Sequence, residues 1–530
     1  MLNPVPSGIA VRFNRYRLVF LIFLITYAVL LLLYLDYAPI QWDETPHLVG
    51  GLLLSRGQIQ DYAQNYHFYP PLFDATTAFY YIVAGASLFS ARLVSVTFGL
   101  LSLWVVFEYA YRFYGPRNAL LSSILLASMP GFIILCRLAL IETMLLFFFS
   151  TSLFLFFSWI RTKNNKMLLL SGVMLVLGII AKYQVFVSGL VMLLSTFIIW
   201  RERVLKKFGK FLFIVIIAVG VVLLLFFFVY QQQILEILAE WLYAIQVGNE
   251  ERTTYSVRYL LPIFYLIEMT YPYSHIHPIS LPLYVLGLFG LGFWLWRRRS
   301  EDKFSLIWFF VVYFVFTLIP NKNWRYVIPL FPILALSASD FILFLFDKLK
   351  DGFRVYKTSF HKTLTFKLVA IIFVLLIGAS VVYSWGDAYS WVEKEHVYIP
   401  IKEATQYLIE NSTLNETAVA LFTSNFFSID MVRFYLEMYD SSQRELWKYP
   451  ENPIDVYEPH FNGTWLIEQS EALNVKYLLI FEHGNNQFFQ SNWRTSDVIK
   501  RMRDTGRFMV EIAFGSAPRR IFIIRFLLSS

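Results

Sequence analysis

QWDETPHLVGGLLLSRGQIQDYAQNYHFYPPLF, residues Gln41–Phe73, follows the first apolar run of the chain and decides how the rest is read. An Asp-Glu pair, Asp43 and Glu44, stands where the chain leaves that run, and Tyr69-Pro70-Pro71-Leu72 stands where it turns back toward the next. Two adjacent carboxylates beside a bilayer are costly unless they are solvated or used. The stretch therefore reads as a surface loop between membrane spans, with a candidate functional site at its head.

The bulk composition agrees. Of 530 residues, 57% are hydrophobic and 15% charged, too apolar for a soluble globular chain. The 53 Phe and 33 Tyr suit lipid-facing helices and interfacial belts. Apolar runs long enough to cross, roughly 17–25 residues, fall near 18–35, 92–111, 118–136, 139–160, 167–181, 183–200, 211–230, 279–296, 304–320, 326–346 and 368–386. The expected fold is a polytopic α-helical membrane protein of about 11 transmembrane helices. The first run follows Arg12, Arg15 and Arg17 with no small-residue cleavage pattern behind it, and is read as a retained helix. The single cysteine, Cys136, excludes an intrachain disulfide.

Charge sets the orientation. Six alternate loops, from RFNRYR to the Lys348–Lys367 segment, hold 23 of the 45 Lys and Arg. That asymmetry places them and the N-terminus in the cytoplasm. It also accounts for much of the +8 net charge without a nucleic-acid partner. The chain then divides into a membrane module, 1–386, containing a first external loop at 36–91, and an external α/β domain, 387–530. The domain alternates helix-like stretches (400–411, 428–439, 465–473) with strand-like runs (418–423, 475–481, 508–514, 521–526). All three Asn-x-Ser/Thr sequons, at Asn411, Asn415 and Asn462, fall in it. The membrane is a prokaryotic plasma membrane or the endoplasmic reticulum.

The ionisable residues of the external face carry the chemistry. Two amphipathic stretches of the first loop, 46–54 and 75–89, read as helices lying on the membrane. Arg137 and Glu142 lie in MPGFIILCRLALIET, where an ion pair at i, i+5 is the bland alternative, with poor helical geometry. Lys182 stands in GIIAKYQ with no charged neighbour, and Lys322, Arg325 and Tyr326 in NKNWRYVIPLFP. Arg325 reads equally as an interface anchor. Cations without matching acids suggest an anionic ligand, phosphate first. His275 and His277, with His67 and the nearby acids, form a candidate site for a divalent metal ion. P-loop, Rossmann, HExxH and Ser-elbow patterns are missing.

The ordered series of Asp-Glu, PPL, ARLVSVTFGLLSL (Ala91–Leu103), YRFYGPRNALLSSILLASMPGFIILCRLALIETMLLFF (Tyr111–Phe148) and NWRYVIPLFPILAL (Asn323–Leu336) resembles the GT-C superfamily of polyprenyl-phosphate-sugar-dependent glycosyltransferases. Its protein O-mannosyltransferase and lipid A aminoarabinose transferase branch is the most similar, over roughly residues 15–200. The resemblance implies a polyprenyl- or dolichyl-phosphate sugar as donor, a protein, lipid or glycan as acceptor, and membrane lipid around both. It makes Asp43 the base for the acceptor hydroxyl, with Glu44 following it and Glu142 at the second acidic position. It makes Arg137, Lys182 and Arg325, with Tyr326 beside them, the holders of the donor phosphate. One departure is plain: the aminoarabinose transferases have Glu-Lys before Pro-Pro, where this chain has His67-Phe68-Tyr69. The WWDYG-type motif of oligosaccharyltransferases is missing, so en bloc transfer to asparagine is not expected. Outside this class, a secondary transporter would show repeated halves and midplane charges, and a silent scaffold would use only the external domain.

Overall fold

The computed structural model describes residues 15–38, 40–66, 69–200, 261–270, 277–355, 381–388, 399–413, 415–420, 429–439, 446–448, 462–482, 494–517 and 519–527, with isolated positions between them. The chain is an integral membrane protein, mostly helical, with a small C-terminal sheet domain. It forms two compact units: 1–33, 60–73 and 92–391 in one, and 34–59, 74–91 and 392–530 in the other. Two segments of the first loop, 34–59 and 74–91, fall in the unit of the C-terminal domain.

In the membrane unit α1 (Arg15–Leu32) is followed, after the loop, by α5 (Leu88–Phe113), whose 26 residues rise about 39 Å, more than the ~30 Å hydrocarbon layer. Helices α6 (Pro116–Ala127) and α7 (Pro130–Arg137) occupy the expected third span but are bent by 68° at Ser128–Met129. Pro130, with no N–H to give, opens the second helix at its first position. Then come α8 (Glu142–Thr162), α9 (Asn165–Ala181), α10 (Phe186–Trp200), α11 (Leu281–Arg297), α12 (Ser300–Leu318), a 3-10 stretch (Trp324–Leu330) and α13 (Phe331–Val355). Among the described residues four helices are long and apolar enough to cross a bilayer, or five counting the bent pair. The expected span at 211–230 lies outside the described stretches apart from scattered helical positions, and of the one at 368–386 the continuous described part is the helical stretch 381–386.

Small residues and ion pairs fix the packing. A Cβ on Gly290 of α11 would run into the Ser337 carbonyl oxygen of α13, so only glycine permits that crossing. Several arginines of the basic loops also tie helices together. Arg17 meets Glu108 at 2.9 Å, Arg161 meets Glu301 at 3.0 Å, and Arg297 meets Asp302 at 2.7 Å. Asp340 of α13 accepts from Asn118 at 2.9 Å and from Trp294 at 2.7 Å, and also pairs with Arg297.

The second unit begins with α2 (Thr45–Ser55), and α4 (Leu72–Ala84) belongs to it from Asp74 onward; α3 (Ile59–Asn65) links the two in sequence. Its C-terminal part holds a five-stranded sheet of order β2-β1-β3-β5-β4. Strands β1 (Thr417–Ala420), β2 (Leu446–Lys448) and β3 (Val475–Phe481) are parallel, and β4 (Phe508–Ser516) and β5 (Arg519–Phe526) close it antiparallel. Helices α14 (Ile401–Asn411), α15 (Ile429–Tyr439), α16 (Gly463–Ala472) and α17 (Thr495–Asp504) flank it. Val419, Leu478, Ile480, Val498, Met502 and Ile524 form its core. Helix α2 packs on α15, where Arg56 Nη1 lies 2.5 Å from Glu437 Oε2 and Nη2 donates to the Glu437 carbonyl. That contact is why the loop segment groups with the C-terminal domain.

Candidate active site

In the membrane unit the elbow Leu138–Ile141 presents Glu142 as the first residue of α8. Ser95 of α5 braces this elbow: its Oγ donates to the Leu140 carbonyl at 2.9 Å and accepts from the Leu140 N–H at 3.2 Å. Glu142 is 4% exposed, and a carboxylate at a helix N-terminus is favoured by the helix dipole. Its Oε1 accepts from Lys182 Nζ at 3.1 Å and lies 3.7 Å from Arg325 Nη1. Lys182 ends α9 with extended backbone and sits 5.8 Å from the ring centroid of Tyr69. Arg325 is set by the Asn323 side chain, which accepts its backbone N–H at 3.0 Å. Gly131 lets this stretch approach α7, since a Cβ there would meet the Trp324 ring at 2.8 Å.

This arrangement corrects the expectation of cations without matching acids. Glu142 matches Lys182 and Arg325, and the i, i+5 alternative with Arg137 is replaced by these two partners from other helices. Arg137 is 8% exposed and donates to the Leu31 carbonyl at 2.7 Å, capping the C-terminal end of α1. Lys322 likewise donates to the Phe316 and Thr317 carbonyls at 2.8 and 2.6 Å, closing the end of α12. Burial lowers the Lys322 pKa to about 8. Tyr326 is half-buried, its ring 6.4 Å from that of Phe316.

In the second unit the acidic pair splits. Asp43 and Glu44 lie in a 3-10 turn leading into α2. Asp43 is exposed, whereas Glu44 is fully buried and its Oε2 accepts the Gln41 N–H at 2.9 Å. Glu44 thus fastens the turn, and Asp43 is the member presented to solvent. One turn along α2, buried His47 donates from Nδ1 to Oδ1 of buried Asp74 on α4 at 2.7 Å.

His67 and His275 of the candidate metal set lie outside the described residues. His277 is half-buried and its Nδ1 donates to the Thr270 carbonyl at 2.5 Å. Among the described residues no group of three His, Cys, Asp or Glu side chains converges as a metal site. Sequence reasoning missed Tyr69, Asp74 and the fully buried Arg92. Tyr69 had a signal, its place beside the double proline; Arg92 stands at the head of a quoted motif with a charge in an apolar helix.

Comparison with known proteins agrees with this architecture. Residues 69–227 match the family model described as dolichyl-phosphate-mannose-protein mannosyltransferase. An uncharacterized protein of Aquifex aeolicus (strain VF5) is 22% identical over 277 residues, 52% of this chain and 52% of that one. The match thus spans about half the length of that curated relative. ArnT from Cupriavidus metallidurans in the apo state is similar with a TM-score of 0.60 and 14% identity, over 96% of this chain and 98% of that one. The same protein bound to undecaprenyl phosphate gives 0.55 and 16%, over 95% and 98%. The Archaeoglobus fulgidus oligosaccharyltransferase tethered to an acceptor peptide with the NVT sequon gives 0.57 and 14%, over 96% and 74%.

Proposed function

We propose that this chain, which has the GT-C fold, is a membrane glycosyltransferase that moves a sugar, a hexose such as mannose, from a polyprenyl or dolichyl phosphate to an acceptor hydroxyl. The observation that carries the reading is the group of buried Glu142 and Lys182 with half-buried Arg325, and Tyr69 beside it. Two cations, Lys182 and Arg325, gather at one carboxylate, and both are side chains of the kind that bind a phosphate headgroup. The matching family model and the undecaprenyl phosphate bound by the similar ArnT support a lipid-phosphate donor.

In this reading Lys182 and Arg325 hold the donor phosphate and stabilise the charge that develops on it as the glycosidic bond breaks. Glu142 fixes the two cations in place. Phosphate is a good leaving group, so the glycosidic oxygen needs no general acid. Asp43 takes the proton of the acceptor hydroxyl, which attacks C1 from the opposite face and inverts it, as in single-displacement glycosidases. The N-terminus is cytoplasmic, and the C-terminal domain lies on the external side with the acceptor.

The test is transfer of radiolabelled sugar from polyprenyl-phosphate donors in membranes carrying wild type or Asp43→Asn. Loss of a general base lowers the rate by about 10²–10⁴, so label should move with wild type only. Label on Ser or Thr identifies a protein acceptor, and label on a lipid product resolved from the donor by thin-layer chromatography a lipid or glycolipid one. Undiminished transfer by Asp43→Asn defeats the base assignment. No transfer by wild type from any donor, beside an active control enzyme, defeats the glycosyltransferase reading.

A further inference from the structure

Helices α2 and α4 meet along a narrow seam. A Cβ on Gly51 would lie 2.7 Å from Thr77 Cγ2 and 3.2 Å from the Tyr81 ring, so the helices touch almost backbone to side chain. At one end of this seam stands the hydrogen bond from His47 Nδ1 to Asp74 Oδ1, both residues 2% exposed. Glu44 is buried close by, and Tyr81 lies within electrostatic reach of both Glu44 and Asp74. The opposite face of α4 is apolar and bare, with Phe79 60% and Ile82 and Val83 each 69% exposed.

A buried ionisable pair is a poor way to gain stability, since a well-packed apolar pair of the same volume is often as good or better. What such a pair supplies is direction. An imidazole held by a carboxylate has one tautomer and one orientation. His47 lies four residues after Asp43 and three after Glu44, on the helix that begins at their turn. Fixing the rotation of α2 against α4 at His47 therefore fixes where the turn points Asp43.

We propose that His47 and Asp74 are positioning residues for Asp43, setting the aim of its carboxylate through the first turn of α2. The proposal rests on the assignment of Asp43 as the base, and its test separates the two. Asn in place of His47 puts an amide N–H close to the position of Nδ1 and can still donate to Asp74. Gln carries its amide one bond farther and cannot donate from the same point.

The first readout needs no activity: the rate of carbodiimide modification of Asp43, mapped by mass spectrometry on the full-length protein in detergent. Wild type and His47→Asn should react alike, and His47→Gln and Asp74→Leu should differ from them by several-fold. The second readout is transfer. His47→Gln should lower kcat by up to about 100-fold, the scale of misplacing a reacting group by about 1 Å, with the donor KM unchanged and His47→Asn restoring most of the rate. Equal Asp43 reactivity in Gln and Asn variants overturns the proposal, whether or not the wild type transfers sugar. So does an Asn variant as impaired as the Gln variant, which would make the imidazole itself necessary. Altered labelling in an enzyme whose Asp43→Asn variant stays active would keep the positioning role and remove only the base.

Discussion

Glu142 and Lys182 are separated by 40 residues of sequence, yet their carboxylate and ammonium meet at 3.1 Å with both side chains buried. Removing one member of such a pair leaves an uncompensated buried charge, which typically costs about 3–5 kcal/mol. Glu142→Gln should therefore lower the unfolding temperature in detergent markedly. Glu142→Gln with Lys182→Met should recover much of the loss, and a double variant as unstable as the single would show that the pair is not coupled.

Lys322 gives a pH signature. Its native pKa of about 8 lies below the ordinary 10.5, so the folded chain binds fewer protons than the unfolded chain between those values. Stability should rise with pH across that window, and this contribution is lost as pH falls through about 8. A neutral amine has two N–H bonds, enough for the Phe316 and Thr317 carbonyls it serves. Thermal unfolding at pH 7.5 and 10 should show the increment in wild type and a smaller one in Lys322→Met.

The helix crossing at Gly290 should tolerate no side chain. Gly290→Ala brings a methyl against the Ser337 backbone oxygen, where no rotamer change can relieve it. Overpacking of this kind costs about 1–3 kcal/mol. Gly292, two residues on, has open space at its Cβ position and serves as the control whose Ala variant should unfold like wild type.

Arg56 and Glu437 offer a reversal test in the second unit. The pair is partly exposed, so its direct worth is below about 1 kcal/mol and falls with salt. Arg56→Glu should increase proteolysis within 45–55, and adding Glu437→Arg should restore part of the protection. The restoration stays partial, because Arg56 also donates to the Glu437 backbone carbonyl.

Much of this was legible in the sequence. Apolar run length located the helices at the described spans, and the strand Val475–Phe481 matches its expected bounds. The bend between α6 and α7 had its signal in Pro130, within a run read as one span. In the C-terminal domain the helix Thr495–Asp504 went unread, since its polar sequence TSDVIKRMRD shows only Val498, Ile499 and Met502 as an inward apolar stripe. At the site, the residue types were visible and their partners were not. A cation's partner in sequence is a charge nearby, but Arg137 and Lys322 found backbone carbonyls at helix ends, which no residue letter marks. Glu142 found cations on two other helices, a matter of tertiary packing alone. His47 was visible as a residue, but Asp74 lies 27 positions away on the return helix, and only the fold brings them together.

The unit that carries Asp43 is assembled from segments 34–59, 74–91 and 392–530, so a ribosome delivers its parts far apart in time. At about 5–20 residues per second, the 333 residues from 59 to 392 take roughly 17–67 s to make. Throughout that interval α2 has been made while α15, the helix it packs on, has not. The corner that bears the acid thus matures last although it is translated early. A chain stopped before 392 carries Asp43 on a unit that still lacks its C-terminal segment and the helix on which α2 packs.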